Sequence, residues 1–186
     1  MADPRVHVVT LTVTEKGYCH DPATGRLDLA HPDVCRDLAH PDEPVSAVGL
    51  LAAALDERRR TGAGALNVVC CDNLPHNGRM LEGLVSSYAA VRTPELANWI
   101  ATHAAFPCTM VDRIVPATTD ADLADVEARL GVHDAAPVVA EPWIQWVIEN
   151  RFVAPRPPWE EAGAEIVADV APFETMKLRL LNGSHS

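Results

Sequence analysis

The chain has 186 residues, of which 48% are hydrophobic and 22% charged, and its formal net charge is −11. So acidic a chain is not expected to bind nucleic acid or anionic lipid, because both are themselves negatively charged. No apolar run approaches the roughly 20 residues of a membrane-spanning helix, and no secretory signal opens the sequence, so we expect a globular cytoplasmic protein.

The cysteines predict a reducing environment. Five of them, at positions 19, 35, 70, 71 and 108, show no Cys-x-x-Cys spacing. We expect free thiols in or near the core. We expect no zinc site, because no Cys/His pair has a recurring ligand spacing.

Two stretches near the start of the chain predict buried strands. Residues 6–14 and 65–71 are apolar and rich in β-branched side chains. The stretch 14–44 predicts loops and contains the string LAHPD twice, at 29–33 and 38–42. Copies this short indicate helix ends or turns rather than a repeat architecture.

Helices are predicted from capping residues. Ser46 is a good N-cap for a helix that runs to about Thr61 and stops at Gly62. Thr93 and Pro94 supply the N-cap and first residue of another helix. The remaining predicted helices are 78–91, a short one capped by Asp120 and ending near Leu130, and a last one starting near Thr175.

Strands recur in the second half, so the chain as a whole predicts an α/β fold. Their expected positions are 110–115, 138–139, 143–148 and 166–170. Strands that alternate with helices favour layered α/β packing, with at least the first two strands parallel. The GxGxxG fingerprint of a dinucleotide-binding turn follows none of the strands.

Two segments contain residues suited to catalysis. Cys71 to Gly78 follows a predicted strand at its C-terminal end, where ligand sites of open α/β sheets lie, although the same residues also suit a plain strand-to-helix turn. If residues 177–186 are helical, Lys177, Asn182 and His185 lie within an arc of roughly 140°. An amide, an amine and an imidazole on one face suit proton transfer, and the alternative is an amphipathic helix with a solvated lysine.

Five strings together resemble the mannitol dehydrogenase family, the long-chain, metal-independent polyol and hexuronate dehydrogenases. The resemblance covers nearly the whole chain, and the strings occur in the family's order. They are TEKGYC (14–19), CDNLPHNG (71–78), FPCTMVDRIVPAT (106–118), EPWIQWVIENRF (141–152) and ETMKLRLLNGSHS (174–186).

The resemblance implies roles for individual residues. Lys177 matches the family's catalytic lysine, which takes or gives the proton. Asn73 and Asn182 match the asparagines that hold the reacting oxygen, and His185 matches a histidine that contacts the substrate. The remaining matches are Asp112, an acid near the active site, Glu174, linked to proton exit, and Glu15, which together with Asn73 lies near the nicotinamide end of the cofactor.

The resemblance also implies a partial domain. Residues 1–172 would form the second half of an NAD-binding, doubly wound Rossmann-like domain, and 173–186 the beginning of a helical substrate domain. The cofactor would be NAD, with NADP left open. A sheet without its first half exposes an apolar edge, so we expect self-association or a partner that supplies the missing halves, and no turnover by the chain alone.

The substrate is expected to be a sugar acid or a polyol. The strings at 106–118 and 174–186 look most like the fructuronate reductase branch, which interconverts D-mannonate and D-fructuronate. The mannitol 2-dehydrogenase branch shares the catalytic residues, and a non-catalytic remnant or a generic α/β binding module are alternatives of another class. A carboxylate substrate favours a cationic partner, for which Arg113, Arg151 and Arg179 are available.

Overall fold

A computed structural model describes Met1 and residues 3–177. Three parallel strands form the first sheet, in the order β1 (Val8–Leu11), β2 (Leu66–Cys70) and β3 (Ala104–Ala105). Every residue of the central strand β2 is buried, as expected for a strand covered on both faces. The predicted α/β fold and the parallel pairing of the first two strands are confirmed.

Helices connect and cover these strands. Ser46 caps α2 as predicted, since its hydroxyl accepts a hydrogen bond from the Gly49 N–H, and Gly62 ends the helix in the left-handed conformation. Thr93 caps α4 in the same way. The helices are α1 (Pro32–Ala39), α2 (Ala47–Thr61), α3 (Asn77–Arg92), α4 (Pro94–His103), α5 (Asp120–Leu130) and α6 (Ala171–Met176).

The second sheet is mixed. Its order is β4 (Thr109–Asp112), β5 (Gln145–Glu149) and β6 (Glu165–Val167). Strand β5 is antiparallel to β4 and parallel to β6. A small core that includes Met110 and Val147 lies against this sheet, whereas the main core lies between β2 and helices α2 to α4.

Several predicted boundaries are wrong. Residues 138–139 form no strand: Val138 is 75% exposed, because prolines on both sides keep this stretch away from any ladder. The loop predicted over 14–44 contains α1, which Pro32 begins and the imidazole of His31 caps. Helix α5 is capped by Thr119 rather than by Asp120, through a capping box with Asp122.

The last helix begins earlier than predicted. Helix α6 starts at Ala171, not near Thr175, because Pro172 suits the first turn of a helix. Of the helices that the structure describes, none is long and apolar enough to cross a bilayer.

Candidate functional site

A cavity of about 250 Å³ lies where β2 ends, beside β4 and α6. The carboxyl end of a parallel strand is the usual position of a ligand site in an open α/β sheet. The lining residues come from three places in the sequence that the fold brings together: Asp72 to Pro75, Thr109 to Val111, and Glu174 with Lys177.

Among the described residues that line this cavity, Lys177 is the cation. Its ammonium donates to Asn73 Oδ1 at 3.1 Å and to the Val111 carbonyl at 2.5 Å. Its Nζ also lies 3.6 Å from Asp112 Oδ1, and its side chain is only 11% exposed. Three oxygen atoms therefore fix the position of Nζ with little access for solvent, as proton transfer in a defined direction requires.

Asn73 lies opposite Lys177 because it follows directly after β2, in the turn toward α3. Its Oδ1 accepts from the lysine, which leaves the amide nitrogen as the group that donates. An amide donor beside an amine is the arrangement that stabilises a developing alkoxide without a metal.

Asp112 places a second acceptor near the same ammonium. It is the last residue of β4, and its side chain is 13% exposed. Within the described part of the chain its Oδ2 is buried and has no hydrogen-bond partner. Asp112 is not among the residues that line the cavity, so it acts on the site through its contact with the Lys177 ammonium.

Glu174 connects the cavity to the surface. Its Oε1 accepts from the His76 N–H at 3.1 Å, and its Oε2 lies 3.6 Å from His76 Nδ1. Glu174 also lines a neighbouring cavity of about 140 Å³, together with the exposed His76. Glu174 is therefore in contact with both cavities and with an exposed imidazole.

A buried carboxylate, that of Asp72, supports the wall of the site. Its Oδ2 accepts from the Val13 N–H at 3.0 Å and from the Tyr18 hydroxyl, and its Oδ1 accepts from the Thr14 N–H at 2.9 Å. Burial, with the bond to Asp72, raises the pKa of Tyr18 far above its ordinary value. The phenol therefore stays protonated and remains a hydrogen-bond donor to Asp72. This bond holds the segment after β1 against the end of β2.

Asn77 joins the two sheets below the cavity. Its amide nitrogen donates to the carbonyls of Cys70, Asp72 and Thr109, and its Oδ1 accepts from the Thr109 N–H at 2.9 Å. The Thr109 hydroxyl in turn donates to the Cys70 carbonyl. This network fixes β4 relative to β2, and hence Asp112 relative to Asn73.

The structure brings together four of the residues singled out in the sequence: Asn73, Asp112, Glu174 and Lys177. Glu15 is exposed in a 3-10 turn, Glu15–Tyr18, and is not among the residues that line the cavity. Asn182, His185 and Arg179 lie outside the described residues.

Neither of the other two arginines lines the cavity. Arg113 is exposed and bound to the Glu141 carbonyl, and Arg151 forms a bidentate pair with Glu82.

The supporting residues Tyr18, Asp72, Asn77 and Thr109 were given no individual role from the sequence, although Asp72 and Asn77 lie in the segment 71–78 that was singled out there. A usable signal existed for one of them. Asp72 directly follows the buried run 65–71, and a carboxylate at such a position needs several donors. The partners of Asn77 and Thr109 come from a contact across 32 residues, which local sequence does not reveal.

Comparison with known proteins identifies the family. A protein-family model, described as the mannitol dehydrogenase Rossmann domain, matches residues 1–161. An uncharacterized oxidoreductase of Escherichia coli (strain K12), YeiQ, is 54% identical over 99% of this chain. The D-mannonate oxidoreductase of the same organism is 52% identical over all of it.

The fold has a close counterpart among solved structures. The chain superposes on Pseudomonas fluorescens mannitol 2-dehydrogenase, in a ternary complex with NAD and D-mannitol, with a TM-score of 0.90 and 46% identity over 99% of this chain. It spans 38% of the length of each of the two Escherichia coli relatives and 37% of the Pseudomonas fluorescens chain. Since the matched family model covers most of its residues, the chain belongs to the mannitol dehydrogenase family.

Proposed function

We propose that this chain contributes the reaction centre of an NAD-dependent dehydrogenase that interconverts a secondary alcohol and a ketone of a sugar acid or polyol. One observation carries the proposal: the sheltered ammonium of Lys177 lies beside Asn73 at the carboxyl end of β2. Membership of the mannitol dehydrogenase family and the NAD of the similar Pseudomonas fluorescens complex support it.

The residues present fit a nicotinamide cofactor. The ends of β1 and β2 are adjacent, and Asp72 fixes the segment that follows β1 there, as a dinucleotide site of a parallel sheet requires. Asn73, and Glu15 on the segment that Asp72 holds, would lie at the nicotinamide end. When bound, NAD supplies hydride acceptance and NADH hydride donation at the reacting carbon.

The proton is handled by the protein. In alcohol oxidation, the neutral amine of Lys177 accepts the hydroxyl proton as the carbon gives up its hydride, so that one ketone, one reduced cofactor and one protonated lysine result. Asn73 donates to the reacting oxygen, and Asn182 and His185 would complete this set. Glu174 and His76 return the proton from the lysine to solvent. Ketone reduction runs through the same residues in reverse.

The substrate pair we favour is D-mannonate and D-fructuronate. The D-mannonate oxidoreductase is 52% identical to this chain, against 46% for the Pseudomonas fluorescens mannitol 2-dehydrogenase. No arginine lines the cavity within residues 3–177, so a carboxylate partner would come from elsewhere in the assembled enzyme. Mannitol and fructose are the second candidate pair, because the Pseudomonas fluorescens mannitol 2-dehydrogenase superposes on this chain with a TM-score of 0.90.

The whole enzyme would need more than this chain. In the proposed division, residues 1–172 form the second half of an NAD-binding domain, and residues 173–186 begin a helical substrate domain. The remaining segments of such an enzyme, in the same polypeptide or in a partner, would supply the other half of the cofactor site. The alternative is a remnant without activity.

A chimera separates these possibilities. The chain would replace the matching segment of the Escherichia coli D-mannonate oxidoreductase, and NADH oxidation would be followed with D-fructuronate and, separately, with D-fructose. We expect turnover with D-fructuronate in the chimera and none with the chain alone. A preference for D-fructose would move the assignment to the mannitol branch. A folded chimera that is inactive with both ketones would favour the remnant.

A further inference from the structure

Three metal-ligating side chains meet at the start of α1, on the segment 14–31 that leads from β1 to this helix. A thiol sulfur of Cys19, a ring nitrogen of His31 and a carboxylate oxygen of Asp33 all lie within 4.8 Å of one another. Two of these residues flank the first residue of α1, and Cys19 is brought to them across a turn in which the Asp28 N–H donates to the Cys19 carbonyl.

The chemistry of this donor set is suited to a divalent transition metal. One thiolate, one imidazole and one carboxylate match the sulfur, nitrogen and oxygen ligands that zinc accepts. Two negative charges from Cys19 and Asp33 neutralise a divalent ion. Bonds of about 2.0–2.3 Å place tetrahedral ligands roughly 3.3–3.8 Å apart, so closure on a metal requires movements of about 1 Å or less per side chain. A metal on Nδ1 of His31 would also replace the hydrogen bond that this nitrogen accepts from the Asp33 N–H.

The cluster is also accessible to an ion from solvent. Cys19 is buried, His31 is partly exposed and Asp33 is exposed, so the cluster opens to solvent on one side only. Cys19 and Asp33 line a surface cavity of about 300 Å³, and Lys16 is the cation among its described lining residues.

We propose that Cys19, His31 and Asp33 form a zinc-type metal site that joins the segment 14–31 to the start of α1. The sequence predicted no such site, because Cys-x11-His-x-Asp is not a recurring ligand spacing. None of the three residues lines the cavity of Lys177 and Asn73, so the metal site takes no part in the proton transfer proposed above. A metal here would stabilise the segment whose beginning Asp72 holds at the cofactor end of the cavity.

Cobalt(II) added to the metal-free, reduced chain is the probe, because cobalt bound to a thiolate absorbs in the near ultraviolet and tetrahedral cobalt absorbs strongly in the visible. We expect both bands to saturate at one equivalent and to disappear on addition of Zn²⁺. Cys19→Ser should abolish the near-ultraviolet band. Cys35→Ser should leave it unchanged, because that exposed thiol is turned toward the Leu29 carbonyl.

Two further variants guard against a folding artefact in Cys19→Ser. His31→Asn keeps a good N-cap on α1 while it removes the imidazole, and Asp33→Asn removes the carboxylate charge. Each should weaken cobalt binding at least tenfold, with the circular dichroism spectrum unchanged. The proposal is overturned by the absence of a thiolate band in the folded chain, by a band that survives Cys19→Ser, or by one that needs Cys35. Because the readout is spectroscopic, it is independent of dehydrogenase activity.

Discussion

Asp72 illustrates how one side chain organises the site from a distance. Its carboxylate is 5% exposed and receives the backbone N–H groups of Val13 and Thr14 together with the Tyr18 hydroxyl. Thr14 has a φ of 64°, a left-handed conformation that is costly for a β-branched residue. The charge-assisted bonds offset that cost and keep the segment beside Asn73.

Substitutions of Tyr18 and of Asp72 should destabilise the fold to different extents. Tyr18→Phe removes one bond to a charged acceptor and should lower the free energy of unfolding by about 2 kcal/mol. Asp72→Asn turns an N–H group toward these donors and should cost more, about 3 kcal/mol. Urea titrations monitored by tryptophan fluorescence measure both losses of unfolding free energy. Thr12→Ala, at an exposed position, is the control and should change this free energy by close to zero. Equal losses of unfolding free energy in the two variants would show that Asp72 contributes to stability only through its hydrogen bond with Tyr18.

Buried thiols should make the chain sensitive to alkali. Burial, and then the neighbouring Cys70 and Asp72, raise the pKa of Cys71 from 9.0 to about 11. The unfolded chain therefore loses this proton at lower pH than the folded chain, so the free energy of unfolding falls as pH rises from about 9 to 11. Urea midpoints over this range should decrease, and Cys71→Ser should reduce the slope. An unchanged midpoint up to pH 11 would contradict the assignment.

At the scale of elements, identical local sequences adopt different structures. The first LAHPD string begins α1, with His31 as cap and Pro32 as first residue, whereas the second ends the same helix, with His40 as its C-cap. Helix-forming residues follow the first copy, and Pro44 follows the second. Capping residues and burial patterns were thus sufficient to predict α2, α4 and β2, but α1 depends on context beyond five residues.

The two-residue strand β3 could not be predicted either. Alanine has little β-propensity, and Ala104 and Ala105 form a strand only because α4 delivers them to the open edge of β2. For the site, resemblance to the family indicated Asn73, Asp112, Glu174 and Lys177, and their catalytic roles stay predictions. Their distances to one another depend on the Asn77 network between the two sheets, which no local pattern reports.

The junction between the two sheets can be tested by substitution of Gly78. It lies in the first turn of α3, where an added Cβ would come within 2.5 Å of the carbonyl oxygens of Phe106 and Pro107. Gly78→Ala should therefore lower the free energy of unfolding by about 2 kcal/mol or more, since backbone must move. Gly83→Ala in the same helix meets open space and should be stabilising by about 0.5–1 kcal/mol. Urea unfolding of both variants measures this difference. Equal changes in the free energy of unfolding would mean that the close approach of Gly78 to the β3–β4 connection does not limit the size of the side chain there.

At the scale of the whole molecule, the sheet has an accessible edge. Among the strands that the structure describes, β1 pairs with β2 alone, and its apolar residues are only partly buried. Such an edge favours pairing with another chain. We expect concentration-dependent self-association in light scattering, reduced by Thr10→Lys, which places a charge at the exposed position of the strand. A monomer at every concentration would contradict this prediction.

The central claim is that Lys177 transfers the proton. Its most direct test is the rate of NADH oxidation by D-fructuronate in the Escherichia coli chimera, with and without Lys177→Ala. We predict a loss of roughly 10²–10⁴ in kcat, the usual contribution of a general acid, with the cofactor still bound. Arg129→Ala, which removes an exposed cation from α5, should leave kcat unchanged. An active chimera whose kcat is the same after Lys177→Ala would contradict the account.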